Sequence, residues 1–213
     1  MMTNEQVAIL VNDYFKKEGY SFPQDFEHRV DPDSSAVIYS FIRHYKPTTA
    51  LQIGTWEGGT TCIIAAALKK NKLPYTFVAS ELLDDKRQFT KEHVYRQTRT
   101  KPTLIGDITK NLDLVPKEID FLFHDTDHDK DTTLWVLDNI FPRIKKGGLV
   151  IFHDWAVTEV DGKWVGKGEN GAGGWPETQV LMDLHNSGNL PLEKVYWNYK
   201  NPGFWETGVF LKT

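Results

Sequence analysis

A single cysteine, Cys62, occurs in 213 residues, which excludes an intramolecular disulfide and any C-x-x-C metal site. Set among Ile63, Ile64 and alanines, it reads as a small buried hydrophobe. Basic runs are equally scarce. No stretch of Lys or Arg exceeds two residues and the net charge is −4, so the chain lacks the electrostatic footprint of a nucleic-acid binder. No apolar stretch reaches membrane-spanning length. The opening MMTNEQVAIL has no basic segment leading into an apolar stretch and a small-residue cleavage site, so a cytoplasmic location is expected. Internal repeats and low-complexity linkers are absent. What is present is a hydrophobic content of 40% with 25% charged residues, in a length suited to one α/β domain.

Two helices are expected first. Residues 3–17 carry Val7, Leu10, Val11, Tyr14 and Phe15 at helical spacing, with Thr3 and Gln6 as a capping box. Residues 33–44 form a second amphipathic stretch. From residue 50 the pattern changes to short apolar runs, ALQIG (50–54), YTFVASE (75–81), PTLIGD (102–107), IDFLFHD (119–125) and GLVIFHD (148–154). Helical stretches at 58–70, 84–96 and 130–144 separate them. Near-continuous apolar strands alternating with helices require a parallel sheet covered on both faces. A glycine-rich segment, a helix over 177–186 and strands over 192–199 and 205–212 follow. The last two are closely connected and should form an antiparallel hairpin at one edge. The expected fold is thus a doubly wound, mostly parallel seven-stranded α/β sheet in one domain, with residues 1–48 as a helical cover and 49–213 as the core.

Ligands of such sheets bind beyond the carboxyl ends of the strands. Gly54, Glu81, Asp107, Asp125 and Asp154 all fall at those ends. In LQIGTWEGGTT, Gly54 and Gly58 bracket a strand-to-helix turn where backbone approaches a ligand closely. The G-x-G-x-x-G dinucleotide fingerprint is missing, because position 56 is Trp. Glu57 lies where a pyrophosphate would sit, so it favours a cationic ligand instead. Glu81, ending the next strand, can accept hydrogen bonds from both hydroxyls of a ribose. A ribose without a pyrophosphate, on a positively charged ligand, describes S-adenosylmethionine.

At these residues the chain resembles the class I S-adenosylmethionine-dependent methyltransferases. The resemblance rests on LQIGTWEGGTT, the acid in VASELLDD, LIGD, and IDFLFHDTDHDKDTTLWVLDNIFPRIKKGGLVIFHDW. It covers roughly residues 48–156 and is closest to the small-molecule branch with macrocin-type sugar O-methyltransferases and cephalosporin-hydroxylase-like proteins. The resemblance implies that Gly54, Thr55, Glu57 and Gly58 line the methionine end of the cofactor, that Glu81 holds the ribose and that Asp107 sits by the adenine. Gln52 stands where many relatives carry an acid, and Asp125 can compensate in holding the cofactor's amino group.

Asp125, His153 and Asp154 end two neighbouring strands and offer two carboxylates and an imidazole to a divalent ion. Such a set suits Mg²⁺ or Mn²⁺, and the imidazole tilts it towards Mn²⁺. By resemblance, metal-dependent members use the matching acid of strand four and a pair at the end of strand five, where His153 here replaces an acid. Methyl transfer needs an acceptor that is positioned and relieved of a proton. Asp127 is the candidate base and His128 its substitute.

Simpler readings stand beside these. Glu81 can cap the helix starting near Asp84, Asp107 can cap a turn through Lys110, and Asp127 or Asp129 can cap the helix through Trp135. His124 alternates to the opposite face from Asp125 and reads as a satisfied interior histidine. Residues 155–177, with Trp164 and Trp175 around the glycine-rich segment, read as a mobile lid or a plain surface loop. The expected activity is methyl transfer to a small hydroxylated acceptor such as a sugar, phenol or natural product. The alternatives are a metal-independent enzyme of the same fold and a cofactor-binding protein without turnover. Neither nucleic acid nor membrane is expected as a partner. The N-terminal helices either cover their own chain's pocket or dock on a neighbour in a homo-oligomer.

Overall fold

The computed structural model describes residues 1–20, 31–155, 157–166, 175–198 and 207–213. Helix α1 (Asn4–Leu10) starts on the expected capping box, with Gln6 N–H donating to Thr3 Oγ1 and Thr3 N–H to Gln6 Oε1. It continues into a π-helical turn, Val11–Lys16. Helix α2 (Pro32–Tyr45) is capped by Asp31, which accepts from the amides of Asp33 and Ser34, and Pro32 opens its first turn.

The sheet core alternates as the apolar runs demand. Strand β1 (Thr49–Ile53) leads to α3 (Gly59–Lys70), β2 (Thr76–Ser80) to α4 (Asp84–Thr98), and β3 (Thr103–Ile105) to a short 3₁₀ turn. Strand β4 (Ile119–His124) leads to α5 (Lys130–Asn139) and then β5 (Ile144–Phe152). A small hairpin, β6 (Val157–Val160) and β7 (Lys163–Gly166), precedes α6 (Pro176–Asn186), β8 (Leu192–Asn198) and β9 (Thr207–Lys212). The seven-stranded sheet runs β3-β2-β1-β4-β5-β9-β8, and within it only the pairings made by β9, with β5 and with β8, are antiparallel. Strand order reverses between β1 and β4, so the crevice that such a switch opens lies between their carboxyl ends.

Alternation along the strands divides the core in two. Ala50, Phe77, Ala79, Phe121, Phe123 and Ile151 face the side covered by α2 and α3. Leu51, Val78, Leu122, Val150 and Phe152 face Val136 of α5, Ile140 just after it, and Leu181 and Met182 of α6. The N-terminal segment belongs to the first side. Val7 is buried there, Met2 N–H donates to Val195 O of β8, and Glu18 accepts from Tyr39 Oη and pairs with Arg43. Cys62 is fully buried, and burial pushes its thiol up to about 12, as suits a packing residue. Among the described residues no helix is long and apolar enough to cross a membrane.

Three boundaries differ from expectation. Helix α5 stops at Asn139, and a 3₁₀ turn carrying Pro142 follows it, because a proline disfavours helical backbone before it. Strand β5 starts at Ile144, and its register slips against β4 near the left-handed Gly147. The β6–β7 hairpin was not anticipated. Its turn is Asp161-Gly162, both at positive φ, a dipeptide that favours a tight two-residue hairpin. Residues 156 and 167–174 of the expected lid, and positions 199 and 205–206 of the last two strands, lie outside the described residues.

Candidate active site

The turn after β1 is built around glycine. Gly54 has φ +84°, and a Cβ there would lie 1.7 Å from the Asp125 carbonyl oxygen. Gly58 has φ +85° and would press a Cβ against Thr90 at 2.9 Å. Both glycines therefore answer to packing within the protein. Close contact with Asp125 also means that the turn and the end of β4 share one wall of the crevice.

Glu81, buried at the end of β2, reaches into this turn. Its Oε2 accepts from the amides of Thr55 (3.0 Å) and Trp56 (2.7 Å) and from Thr55 Oγ1, while Oε1 accepts from Leu83 N–H at 3.1 Å. A carboxylate offers about four acceptor positions. Glu81 thus fixes the turn while its side chain stands at the crevice. Trp56, at φ +47°, exposes its indole beneath the Lys86 ammonium, 4.5 Å from the ring centroid. The same ammonium pairs with Glu57 at 2.6 Å, so the carboxylate that sequence placed at the cofactor is already neutralised by α4. Gln52 donates its amide to Gly54 O at 2.8 Å, and its buried Oε1 has no hydrogen-bond donor among the described residues. That orphaned acceptor, beside the turn, fits an ammonium group.

Asp107 follows β3 and acts as a turn cap. Its Oδ1 accepts from the backbone and hydroxyl of Thr109, and Oδ2 pairs with Lys110. Thr109 and Lys110 together hold its carboxyl below the usual carboxylate range.

The ends of β4 and β5 bring together Asp125, His128, His153 and Asp154. His128 Nε2 lies 3.1 Å from Asp154 Oδ2 and 3.8 Å from Asp125 Oδ1. His153 Nδ1 lies 3.0 Å from Asp154 Oδ1 and 3.6 Å from Asp125 Oδ2. One donor atom from each of Asp125, His128 and Asp154 falls within 4.8 Å of the other two. His153, the imidazole that the sequence suggested for this set, lies as close to the same two acids as His128 does, so the two rings flank the acid pair. The O,O,N donor set fits a hard divalent cation. His128 and Asp154 both hold positive φ, +57° and +55°. Such backbone is uncommon outside glycine, although Asn, Asp and His are enriched in it.

The acids and imidazoles of the cluster shift one another's protonation. Burial works against a protonated His128, but Asp154 and Glu177 outweigh it and raise the ring to about 10. His153 is likewise opposed by burial and carried to about 10 by Asp125 and Asp154. Burial disfavours the Asp154 carboxylate, yet His128 and His153 bring it down to about 2. Asp127 is exposed on the loop after β4; burial of its carboxyl and the neighbouring Asp129 carboxylate raise it above the usual range. Asp129 is the residue that caps α5, accepting from Asp131 and Thr132 amides.

Glu177 was missed by sequence reading. It is 2% exposed in the first turn of α6. Its Oε2 accepts from His128 Nδ1 at 2.6 Å, and its Oε1 lies 2.8 Å from His124 Nδ1. His124 is buried as expected of an interior histidine, and Glu177 is its ion-pair partner. The available signal was slight: an acid in a helix's first turn commonly just complements the dipole.

The sheet order, its reversal between β1 and β4 and the glycine turn after β1 are those of the class I S-adenosylmethionine-dependent methyltransferase fold. The family described as a methyltransferase domain matches residues 51–155, from β1 through Asp154. No curated protein matches the sequence. Among solved structures, a putative O-methyltransferase from Klebsiella pneumoniae is 17% identical with TM-score 0.65, covering 100% of this chain and 92% of that one. The O-methyltransferase TomG from Streptomyces achromogenes, in complex with SAM, is 14% identical with TM-score 0.64 and coverage of 100% and 91%. An O-methyltransferase from Bacillus cereus, in complex with SAH, is 12% identical with TM-score 0.63 and coverage of 100% and 93%. At these identities the likeness is one of fold.

Proposed function

We propose that the protein transfers the methyl group of S-adenosylmethionine to a hydroxyl of a small molecule such as a sugar, phenol or natural product, assisted by Mg²⁺ or Mn²⁺. The carrying observation is that the Asp125–His128–Asp154 cluster shares a wall with the Gly54 turn, through the contact between Gly54 and the Asp125 carbonyl. A methyl donor in the crevice and an acceptor at the cluster would then be neighbours. In this reading Gly54, Thr55 and Gly58 shape the methionine end, Glu81 takes the ribose, and Gln52 Oε1 with Asp125 receives the cofactor's amino group. Glu57 and Asp107 contribute to the cofactor's surroundings from their pairs with Lys86 and Thr109. Asp125, His128 and Asp154 hold the metal, with His153 against both acids. A divalent ion bound there supplies Lewis-acid polarisation of the acceptor hydroxyl. Asp127, whose raised carboxyl is nearer in basicity to what a neutral-pH base needs, takes the proton.

One observation favours a second reading. His128 and His153, both raised to about 10 by the neighbouring carboxylates, already counter the charge of Asp125 and Asp154 without an ion. A metal-independent enzyme would then use Asp127 as its base, because a protonated His128 has no lone pair to offer. Calorimetry with S-adenosylhomocysteine, followed by a methyltransfer assay on a panel of hydroxylated acceptors with and without chelator, separates the two. Binding of the product cofactor with chelator-sensitive turnover is expected. Turnover indifferent to the chelator removes the metal, and no cofactor binding removes the whole proposal.

A further inference from the structure

Beyond the residues that line the crevice, α6 sends one charged side chain into the cluster from behind. Glu177 is almost completely buried, and among the described residues its ion-pair partners are His124 and His128 alone, with no Lys or Arg. Three contacts lock it to His128. Its carboxylate takes Nδ1 at 2.6 Å, its own amide donates to His128 O at 3.0 Å, and two residues earlier the Trp175 ring stacks on the imidazole at 5.1 Å between centroids. Pro176 starts the helix between them, so the contacts come from one rigid corner.

A histidine whose Nδ1 proton is committed to a carboxylate can offer only Nε2 to a third group. Here Nε2 is the atom that faces Asp154 and Asp125. An outer carboxylate of this kind fixes the tautomer and orientation of a ligating imidazole, and losing one typically weakens metal binding about 10–100-fold. We propose that Glu177 is a positioning residue: it holds the Nδ1 proton of His128 and aims Nε2 at the Asp125–Asp154 pair. The consequence for metal binding rests on the metal reading above; the consequence for the ring does not.

The test compares wild type with Glu177→Gln, which preserves side-chain volume. In imidazole ¹H–¹⁵N spectra, wild type should show a His128 Nδ1 proton protected from exchange, and the Gln variant should lose that protection. Mn²⁺ affinity, measured by calorimetry on the same samples, should fall about tenfold or more, while S-adenosylhomocysteine affinity stays within about twofold. If wild type binds no Mn²⁺, the metal reading falls and the Nδ1 signal alone judges Glu177. A protected Nδ1 proton unchanged by the substitution, or an unchanged Mn²⁺ affinity in a protein that binds it, overturns the proposal. Should the Gln variant fail to fold, Glu177→Asp is read the same way, its shorter reach expected to give the same losses.

Discussion

The two halves of the crevice are built on opposite plans. Around Gly54 the wall is backbone, held by short-range geometry and a single carboxylate that collects three amides. Around Asp154 the wall is side chains, with Asp125, Asp154 and Glu177 set against the imidazoles of His128 and His153. A backbone wall can be read from its glycines. A side-chain wall depends on which distant residue completes it, and here that residue stands on α6. The contrast teaches that the first half tolerates change in charge but not in shape, and the second the reverse.

The sharpest way to break that contrast is Gly54→Ala. A methyl group at 1.7 Å from the Asp125 carbonyl, on left-handed backbone, should cost about 3–5 kcal/mol through overpacking and conformational strain. Denaturant melts measure it, and a loss below about 1 kcal/mol would show the turn to be far softer than its contacts require.

The charged half should respond to pH, with both signs. Asp154 and Glu177, each opposed by burial but held at about 2 by histidines, add stability that is present above their ordinary values of 3.8 and 4.5 and lost as pH falls towards 2. His128 and His153, raised from 6.5 to about 10, add stability that is complete below 6.5 and lost as pH rises through 10. Metal-free protein should therefore be most stable between pH 4.5 and 6.5. It should weaken on both sides by a few kcal/mol, on the order of 1.4 kcal/mol for each pH unit between a group's folded and unfolded titration midpoints. Thermal melts across pH 3–10 in chelator decide it; a monotonic profile contradicts the mutual shifts of these acids and imidazoles.

Removing charge without altering the turn sharpens the comparison further. Asp154→Ala should lower turnover about 100-fold or more and leave S-adenosylhomocysteine affinity within about twofold. Equal loss of both would mean that the halves are not separable. The smallest effect is expected from Glu81→Ala. Its affinity for S-adenosylhomocysteine should fall by about 1–3 kcal/mol, and the amides of Thr55, Trp56 and Leu83 lose their acceptor at the same time. Calorimetry showing full affinity would take the ribose from Glu81.

Much of the fold was legible because periodicity is a local signal. The apolar runs at 50–54, 119–125 and 148–154 became neighbouring strands, and the closing pair became the antiparallel edge. The β6–β7 hairpin was not read from the sequence, although its Asp161-Gly162 turn carried a local signal, because the whole stretch from 155 to 177 reads as one loop. The site divides along the same line. Gly54, Asp125 and Asp154 stand at strand ends, where topology alone brings them together. Glu177 and His128 are 49 positions apart, and nothing in WPETQ distinguishes an acid that complements a helix dipole from one buried between two imidazoles. Asp107 stands at a strand end too, and its carboxylate also caps its own loop, the simpler role that the sequence offered beside the cofactor one.

His128 and Asp154 oppose one another from left-handed backbone on both sides. Few amino acids accept that conformation cheaply, and apart from glycine those that do are mainly Asn, Asp and His. Chain geometry has thus narrowed the permitted alphabet at these two places to side chains with hydrogen-bonding or ligating heads. Drift at either position samples mostly other polar chemistries, so the pocket is poised to exchange one proton-handling or cation-holding group for another without rebuilding its frame.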